Sequence, residues 1–588
     1  MKGVCSLLSS NEEIHRLVNA IALKNASEHS GSTNVNTVLS RILSLKPELK
    51  KEIKTLIEEI KVVVDSVNKL DLEQQIKYLD STFSKDKLLD PKSRHGHVDS
   101  HPLPELEVSE SKVVTRFPPE PNGYPHIGHA KAVIIDEEYA RMYNGKLILR
   151  FDDTNPMNEK LEYYDAIRND LEWLGVKPDI IKNTSDDIKI LHELGKKITT
   201  NGYAYVCTCE INNIHTMRMQ QVECPCRSNI DNSEYNLERL DKLFDGTYHQ
   251  NEAIIRFRGN MQDKNTVMRD PTLFRIIEAP HPLLGQKVTV WPTYDFAAPV
   301  EDSLDGVTHA LRTKEYELRN ALYQDILDKL ELRKPKVVEF SRLEFENMPV
   351  SKRKIKKLID DGMIEGWDDP RLLTLSALRR RGFDPKAIRS FVLSLGLTLA
   401  ETKPPFKTLE SINRKIIDPI TIRLFFVKDP IMLLVEDGKD TTVKLNNHPT
   451  SNLGTREVEV SNVIYISRDD AVALTKDEQV RLMELYNVKI NEIDLENKKL
   501  ITASYLNNEI VKDMKKIQWV SDKNMTKYRI MVPKEIYQND KFNPESLEKI
   551  EGYAESSVLQ LKSRTQVQFI RFGFCVTEEK FTAIFIHR

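Results

Sequence analysis

The chain has 588 residues, 40% of them hydrophobic and 30% charged, which is too long for one core and ordinary for a globular protein, so several domains are expected. A formal net charge of only −3 excludes a general polyanion binder; any nucleic-acid contact must come from a local basic face. No apolar run approaches the roughly 18 residues of a membrane span, and Met1 to Ser10 lacks the layout of a secretory signal, so a cytoplasmic protein with no membrane partner is expected.

Residues 1–105 read as a helical domain and a linker. Ser10 and Glu13 suit a capping box, and Ile14, Leu17, Val18, Ile21 and Ala22 then share one helix face. Leu49, Ile53, Leu56, Ile57, Ile60, Val64 and Val67 make a second stripe. The stretch 84–105, with Pro91, Gly96, Pro102, Pro104 and the histidines His95, His97 and His101, reads as the linker. No neighbouring cysteine or carboxylate completes a metal set around those histidines.

From Val113 the pattern changes. Val113 to Phe117 suits a buried strand, Pro118 to Gly123 a loop, His126 to Tyr143 a helix and Lys146 to Phe151 a second strand. That unit fits a Rossmann-like parallel sheet, with a ligand at the strand's carboxyl end against the helix N-terminus. Its first half spans 106–202, with two more helices over 157–200. An insertion follows over 203–290, and the second half spans 291–350, with Thr289–Pro299 and Val337–Phe345 as its strands. Residues 351–409 read as a helical connecting domain, broken near Trp367 and Pro370. Beyond 410 the chain is β-rich, with strands expected at Ile420–Val427, Ile431–Val435, Val463–Ile466, Tyr528–Val532, Val567–Val576 and Phe581–Ile586. A barrel or a pair of barrels over 410–588 is the natural reading.

Two short segments carry the chemistry. His126-Ile127-Gly128-His129 stands at the expected strand end and helix start; Val350-Ser351-Lys352-Arg353-Lys354 lies far downstream. Imidazoles at i and i+3 share one helix face. Gly128 between them lets a nucleoside approach the backbone, and Lys352 is a mobile point charge suited to leaving phosphates. Together they suit attack of a carboxylate on the α-phosphate of ATP, which needs alignment and donors rather than a covalent nucleophile. Taken separately, the histidines are a polar helix start and Lys352 to Lys357 a solvated basic helix.

Six cysteines are too few for a disulfide scaffold, and Cys5 and Cys575 stand alone. Cys207, Cys209, Cys224 and Cys226 form C-x-C, 14 residues, C-x-C. The set suits a four-thiolate structural zinc site, with free thiols or a redox-labile pair as the alternative.

These segments resemble the signatures of the class I aminoacyl-tRNA synthetases. His126 to His129 spells the family's HIGH motif, and Val350 to Arg353 is similar to its KMSKS element in the SKR form. Arg116 to Asn122, Leu149 to Pro156, Arg269 to Thr272 and Pro292 to Ala297 resemble the glutamyl/glutaminyl subgroup. The helical start and β-rich end together resemble its archaeal glutamyl branch. The resemblance implies a multidomain fold: an α/β Rossmann-like catalytic domain with an acceptor-stem-binding insertion, a helical N-terminal domain and an all-β C-terminal barrel region that reads the anticodon. It implies ATP-dependent attachment of L-glutamate to tRNA(Glu) through glutamyl-adenylate, with ATP as its Mg2+ complex, tRNA needed for the first step, and the terminal 2′-hydroxyl as acceptor. Charging of tRNA(Gln) with glutamate is left open.

By the same match His126, His129 and Lys352 are catalytic. Glu120, Asn122, Gly128, Arg342, Leu343, Ser351 and Lys352 contact ATP, and Arg116, Asp152, Tyr294 and Arg312 hold glutamate. Glutamate rather than glutamine rests on Arg312, where glutaminyl relatives carry a small uncharged residue; a guanidinium there can hold a side-chain carboxylate bidentately. The alternative is that Arg312 pairs with Glu315 or Glu317. Pro125 and Pro349-Val350 depart from the usual apolar spelling, and Pro121-Asn122 is glutaminyl-like, so a glutaminyl enzyme remains one alternative. A tRNA-binding regulator without catalysis is another. Lys352 to Lys357 and Arg379 to Arg381 are candidate phosphate contacts.

Overall fold

The computed structural model describes residues 4–28, 32–45, 49, 53–71, 74–75, 77–78, 103–108, 112–231, 233–401, 403–579 and 581–588. The chain forms two compact units, Met1–His101 and Pro102–Arg588. In the first, helices α1 (Val4–Glu28), α2 (Val35–Leu45) and α3 (Ile53–Val67) close a small core in which Leu17, Val18 and Ile21 meet Val38, Ile42, Ile60 and Val64. The capping box expected at Ser10 and Glu13 does not start this helix. The backbone is already helical from Val4, and a cap belongs where amides have no preceding carbonyl to bond. The expected linker, with His95, His97 and His101, lies outside the described residues as far as 102.

The second unit begins with β1 (Val114–Phe117), α4 (Ile127–Met142), β2 (Lys146–Phe151), α5 (Leu161–Trp173), β3 (Ile180–Asn183) and α6 (Ile188–Thr200). The strands are parallel in the order β1-β2-β3, in register Phe117↔Leu149 and Leu149↔Ile181. Side-chain alternation divides the sheet. Phe117, Leu147, Leu149 and Phe151 pack with Ile127, Val133 and Ile134 of α4, while Arg116, Ile148 and Arg150 take the other face. The turn from α4 into β2 uses Asn144 at φ 48° and Gly145, where a Cβ would stand 1.6 Å from Val113 O. No other residue passes there.

The insertion holds β4 (Ala204–Cys207), α7 (Ile211–Gln220), α8 (Ser233–Phe244), β5 (Ile254–Phe257), β6 (Thr272–Ile276) and β7 (Val290–Pro292), its strands forming a four-stranded sheet. Here the expectation for Thr289–Pro299 fails. Val290–Pro292 is β7, antiparallel to β6, and Tyr294–Leu304 is helix α9, with Phe296, Ala297 and Val300 buried. A spacing of three and four residues places those side chains on one helix face, which the aromatic and β-branched run had hidden.

β8 (His309–Thr313), α10 (Asn320–Leu330) and β9 (Lys336–Phe340) follow. β8 and β9 are parallel, and Thr308 N–H donates to Val114 O at 2.9 Å, which sets β8 beside β1. Helices α11 (Lys352–Asp360), α12 (Leu375–Arg380), α13 (Pro385–Leu395) and α14 (Phe406–Ile417) lead into the β region. That region carries two seven-stranded sheets. The run expected at Val567–Val576 is two strands, Gln566–Phe569 and Gly573–Thr577, paired antiparallel, because Arg571 adopts φ 62° between them. Among the described residues, no helix is long and apolar enough to cross a membrane.

Candidate active site

A cavity of about 610 Å³ opens where the carboxyl ends of β1, β2, β8 and β9 meet the N-terminus of α4. Every nucleotide- and amino-acid-binding residue expected from the sequence lines it. Open parallel sheets bind ligands at this end, because the loops diverge there and helix amides point into the gap.

His126 and His129 build the start of α4. His126 is its N-cap, and its Nδ1 accepts from Gly128 N–H at 3.0 Å. His129 Nδ1 accepts from His126 N–H at 3.1 Å. Two imidazoles thus form a capping box, with ring centroids 3.9 Å apart. An imidazole accepting at Nδ1 carries its proton on Nε2, so each ring retains one N–H to offer. Burial, helped by Lys352 and Arg342, lowers the His126 pKa to about 3. Burial, His126 and Lys352 hold His129 well below its ordinary value. Both are therefore neutral donors at neutral pH. Gly128 is explained locally as well: a Cβ there would lie 2.8 Å from His126 Cε1, displacing the capping ring.

Lys352, the first residue of α11, reaches across to the loop before α4. Its Nζ donates to Glu120 O at 3.0 Å and Asn122 Oδ1 at 2.6 Å. Burial lowers its pKa to about 8, with Glu120 acting against the shift. Ile127 N–H donates to Leu373 O and Leu375 N–H to Pro125 O, each at 2.9 Å, so the loop is also pinned to the start of α12. The two distant motifs therefore face one another across a single cleft. Arg342 lines the same wall and pairs with Glu315.

At the other end, Asp152 Oδ1 accepts from Arg150 Nε and Thr184 Oγ1, each at 3.1 Å. Arg116 donates from Nε to Asp302 Oδ1 and from NH1 to Leu311 O, each at 2.9 Å. Arg312 is buried, with its NH1 on Asn320 Oδ1 at 3.2 Å. Its guanidinium lies 5.6 Å from the Tyr294 ring centre and 5.1 Å from those of Tyr316 and Tyr323. Among the described residues no carboxylate ion-pairs with it, and its Nε has no hydrogen-bond partner. The alternative partner Glu315 belongs to Arg342 instead.

Residues 112–419 match the model of the catalytic domain of the class I tRNA synthetases (E and Q). Residues 421–509 and 516–578 match two anti-codon binding domains of the same group. Proteins described as glutamate–tRNA ligase are similar along nearly the whole chain. That of Nitrosopumilus maritimus is 46% identical, over 98% of this chain and 100% of its own. That of Cenarchaeum symbiosum is 45% identical over 96% and 98%, and that of Pyrococcus furiosus 36% identical over 98% and 100%. The chain belongs to the class I tRNA synthetases of the glutamate and glutamine group. The synthetase is therefore multidomain, with a catalytic domain and C-terminal anticodon-binding domains built on barrel-like sheets.

Two basic clusters of the synthetase separate on inspection. Arg353, Lys354, Lys356 and Lys357 are exposed on α11. Arg379 to Arg381, a candidate phosphate contact in the sequence, is held in ion pairs and hydrogen bonds to the protein itself, with Arg379 still exposed. Arg379 pairs with Asp170, Arg380 with Glu578 and Asp368. Buried Arg381 donates to Phe585 O, Ile586 O and Glu410. Arg380 and Arg381 join the helices to the β region, whereas Arg379 is exposed and lies over the Trp173 ring of α5 at 5.7 Å. The sequence reading missed Lys131, whose buried Nζ lies on the cavity wall, 2.5 Å from Ser341 O and 3.2 Å from Ser341 Oγ. A lysine set among the inward positions Ala130 and Val133 was the available signal.

The sulfurs of Cys207, Cys209, Cys224 and Cys226 lie within 4.8 Å of one another. Three pairs stand at 3.4, 3.5 and 3.7 Å. Four thiolates about 2.3 Å from one ion sit about 3.8 Å apart at the corners of a tetrahedron, so the set fits zinc. A disulfide needs sulfurs about 2.05 Å apart. Arg239 NH1 lies 3.5 Å from Cys226 Sγ and Arg256 NH1 4.0 Å from Cys207 Sγ, two cationic groups that would offset the net negative charge of four thiolates around a divalent ion.

Proposed function

We propose that the synthetase attaches L-glutamate to tRNA(Glu) in two steps, using ATP and releasing AMP and diphosphate. The observation that carries this reading is Arg312, a buried guanidinium ringed by tyrosines and lacking a carboxylate partner among the described residues. A buried charge without its counterion is costly, and aromatic faces offset only part of that cost. A ligand carboxylate completes the site, whereas the amide of glutamine leaves it one charge short.

Asp152 receives the α-ammonium, Arg116 and Tyr294 orient the amino acid, and Glu120, Asn122, Gly128, Ser351, Arg342 and Leu343 hold the nucleotide. The α-carboxylate of glutamate attacks the α-phosphorus, forming a mixed anhydride with AMP as the bond to pyrophosphate breaks. His126 and His129 donate neutral N–H groups to the phosphate oxygens, and the Lys352 ammonium follows the charge on the leaving pyrophosphate. Mg2+ arriving with ATP neutralises part of the triphosphate charge. The terminal ribose hydroxyl of tRNA then attacks the anhydride and displaces AMP. In this reading a Rossmann-like domain split by the acceptor-binding insertion at 203–290 performs the chemistry, the helices of 351–409 connect it onward, and the sheets of 410–588 read the anticodon. The four cysteines hold a structural zinc, since four thiolates leave no open position.

The deciding assay charges purified tRNA(Glu) and tRNA(Gln) with each amino acid. Glutamate should be attached in strong preference to glutamine, and equal or better use of glutamine refutes the reading. Glutamate on tRNA(Gln) would identify that tRNA as a second acceptor. If the protein binds tRNA without tRNA-dependent ATP–pyrophosphate exchange, the regulator reading replaces this one.

Two further expectations arise here. In the free enzyme Lys352 loses its charge as pH rises through about 8. Thus kcat/KM for ATP should be level near neutrality and fall about tenfold per unit above that point. The histidines, already neutral, add no inflection between about pH 5 and 8. A profile flat to about pH 10 would contradict this assignment. For the metal, the protein purified under reducing conditions should carry one zinc per chain by elemental analysis, released by titrating the thiols with a mercurial. Metal-free protein with four freely reactive thiols would refute the zinc site.

A further inference from the structure

Beneath the amino-acid end of the cavity, the side chains that meet substrate are joined by one carboxylate that does not line it. Asp302, on α9, is fully buried. Its Oδ1 accepts from Arg116 Nε at 2.9 Å and lies 2.9 Å from Arg150 NH2, an ion pair without hydrogen-bond alignment. Its Oδ2 accepts from Tyr323 OH at 2.9 Å. Each connection leads to the cavity. Arg116 lines it directly. Arg150 turns its Nε to Asp152 Oδ1 at 3.1 Å and its NH1 to Asp305 Oδ2 at 2.8 Å. The Tyr323 ring lies under the Arg312 guanidinium at 5.1 Å.

We propose that Asp302 is a positioning residue that fixes the separation between Asp152 and Arg312, and so the length of amino acid the site accepts. The inference rests on the glutamate reading above and deepens it. Arg116 and Arg150 come from adjacent strands on one face of the sheet, and two guanidiniums in a dry interior repel one another unless an anion stands between them. Asp302 supplies that anion. With it present, Arg150 is held as a fork whose Nε aims Asp152 at the α-ammonium. Through Tyr323 the same carboxylate braces the ring under Arg312, which meets the side-chain carboxylate. A substrate with charges at both ends is then measured against two anchors fixed to one post. Aspartate, one methylene shorter, cannot satisfy both.

The test is Asp302→Asn, nearly isosteric and uncharged, studied in the full-length protein with tRNA present. Its KM for glutamate should rise by about 10- to 100-fold, as losses of outer supporting groups do elsewhere, with the KM for ATP and for tRNA changed little. The ratio of kcat/KM for glutamate over aspartate should fall. Tyr323→Phe removes one hydroxyl from the same post and should shift both quantities in the same direction by about fivefold. It carries the test if Asp302→Asn does not fold by circular dichroism. A merely structural Asp302 would lower all activities together and leave the KM for glutamate and the chain-length ratio unchanged, which overturns the proposal. Failure of the unaltered protein to charge glutamate refutes the functional reading instead, so the two failures are distinct.

Discussion

Lys352→Met should reduce tRNA-dependent ATP–pyrophosphate exchange by about a hundred- to a thousandfold, with the KM for glutamate little changed. The side chain contributes nothing to the core: its ammonium rests on Glu120 O and Asn122 Oδ1, at the edge of the cavity. Thermal stability should therefore stay close to that of the unaltered protein. The loss falls on the step in which negative charge moves onto the departing pyrophosphate, because neutral His126 and His129 supply hydrogen bonds there but no charge. Arginine at this position should rescue poorly: its planar fork cannot follow a moving charge through a space shaped for a compact ammonium. Exchange within tenfold of normal in Lys352→Met would move the catalytic charge elsewhere, with Lys131 or Arg275 in the lining of the same cavity as the next to examine.

Arg312→Cys carries the second large effect, with kcat/KM for glutamate falling by about 10²- to 10³-fold while use of glutamine is spared or improved. Stability distinguishes this site from an ordinary buried ion pair. Removing one member of a satisfied pair usually destabilises by about 3–5 kcal/mol. Arg312 has no carboxylate partner among the described residues, and its Nε is unbonded. Its removal should leave the melting temperature unchanged or raise it in the absence of substrate, and abolish the stabilisation conferred by added glutamate. A variant that keeps its preference for glutamate would overturn the role given to this residue.

Much of this site is legible in the sequence because its signals are local. The i, i+3 imidazoles, the break at Pro118 to Gly123 and the β2 strand before Asp152 each sit within a few residues, and the fold needs only to bring two such segments together. The rest depends on partners distant in the chain. Nothing near Asp302 in sequence indicates that it separates two arginines from β1 and β2, because helix α9 reads locally as a strand. The Arg379 to Arg381 run looks like a phosphate-binding surface for the same reason: Glu578, Asp170 and Glu410, which engage it, lie far away in the chain. β3 has no inward alternation, with two of its residues exposed and two partly so, so hydropathy does not mark it. Its place is set by pairing with β2.

The histidine cap ties folding to reactivity in one set of atoms. Since the rings that satisfy the first amides of α4 also carry the Nε2 protons that the proposed mechanism offers to the nucleotide, in that mechanism the point at which the helix begins is fixed by chemistry as well as stability. Shifting the sequence by one residue along the helix would swing both donors about 100° around its axis and leave an amide bare at the same moment. A variant with serine or asparagine in place of His126 is expected to keep a well-formed helix and still lose activity, a loss that a screen for stability alone would not detect.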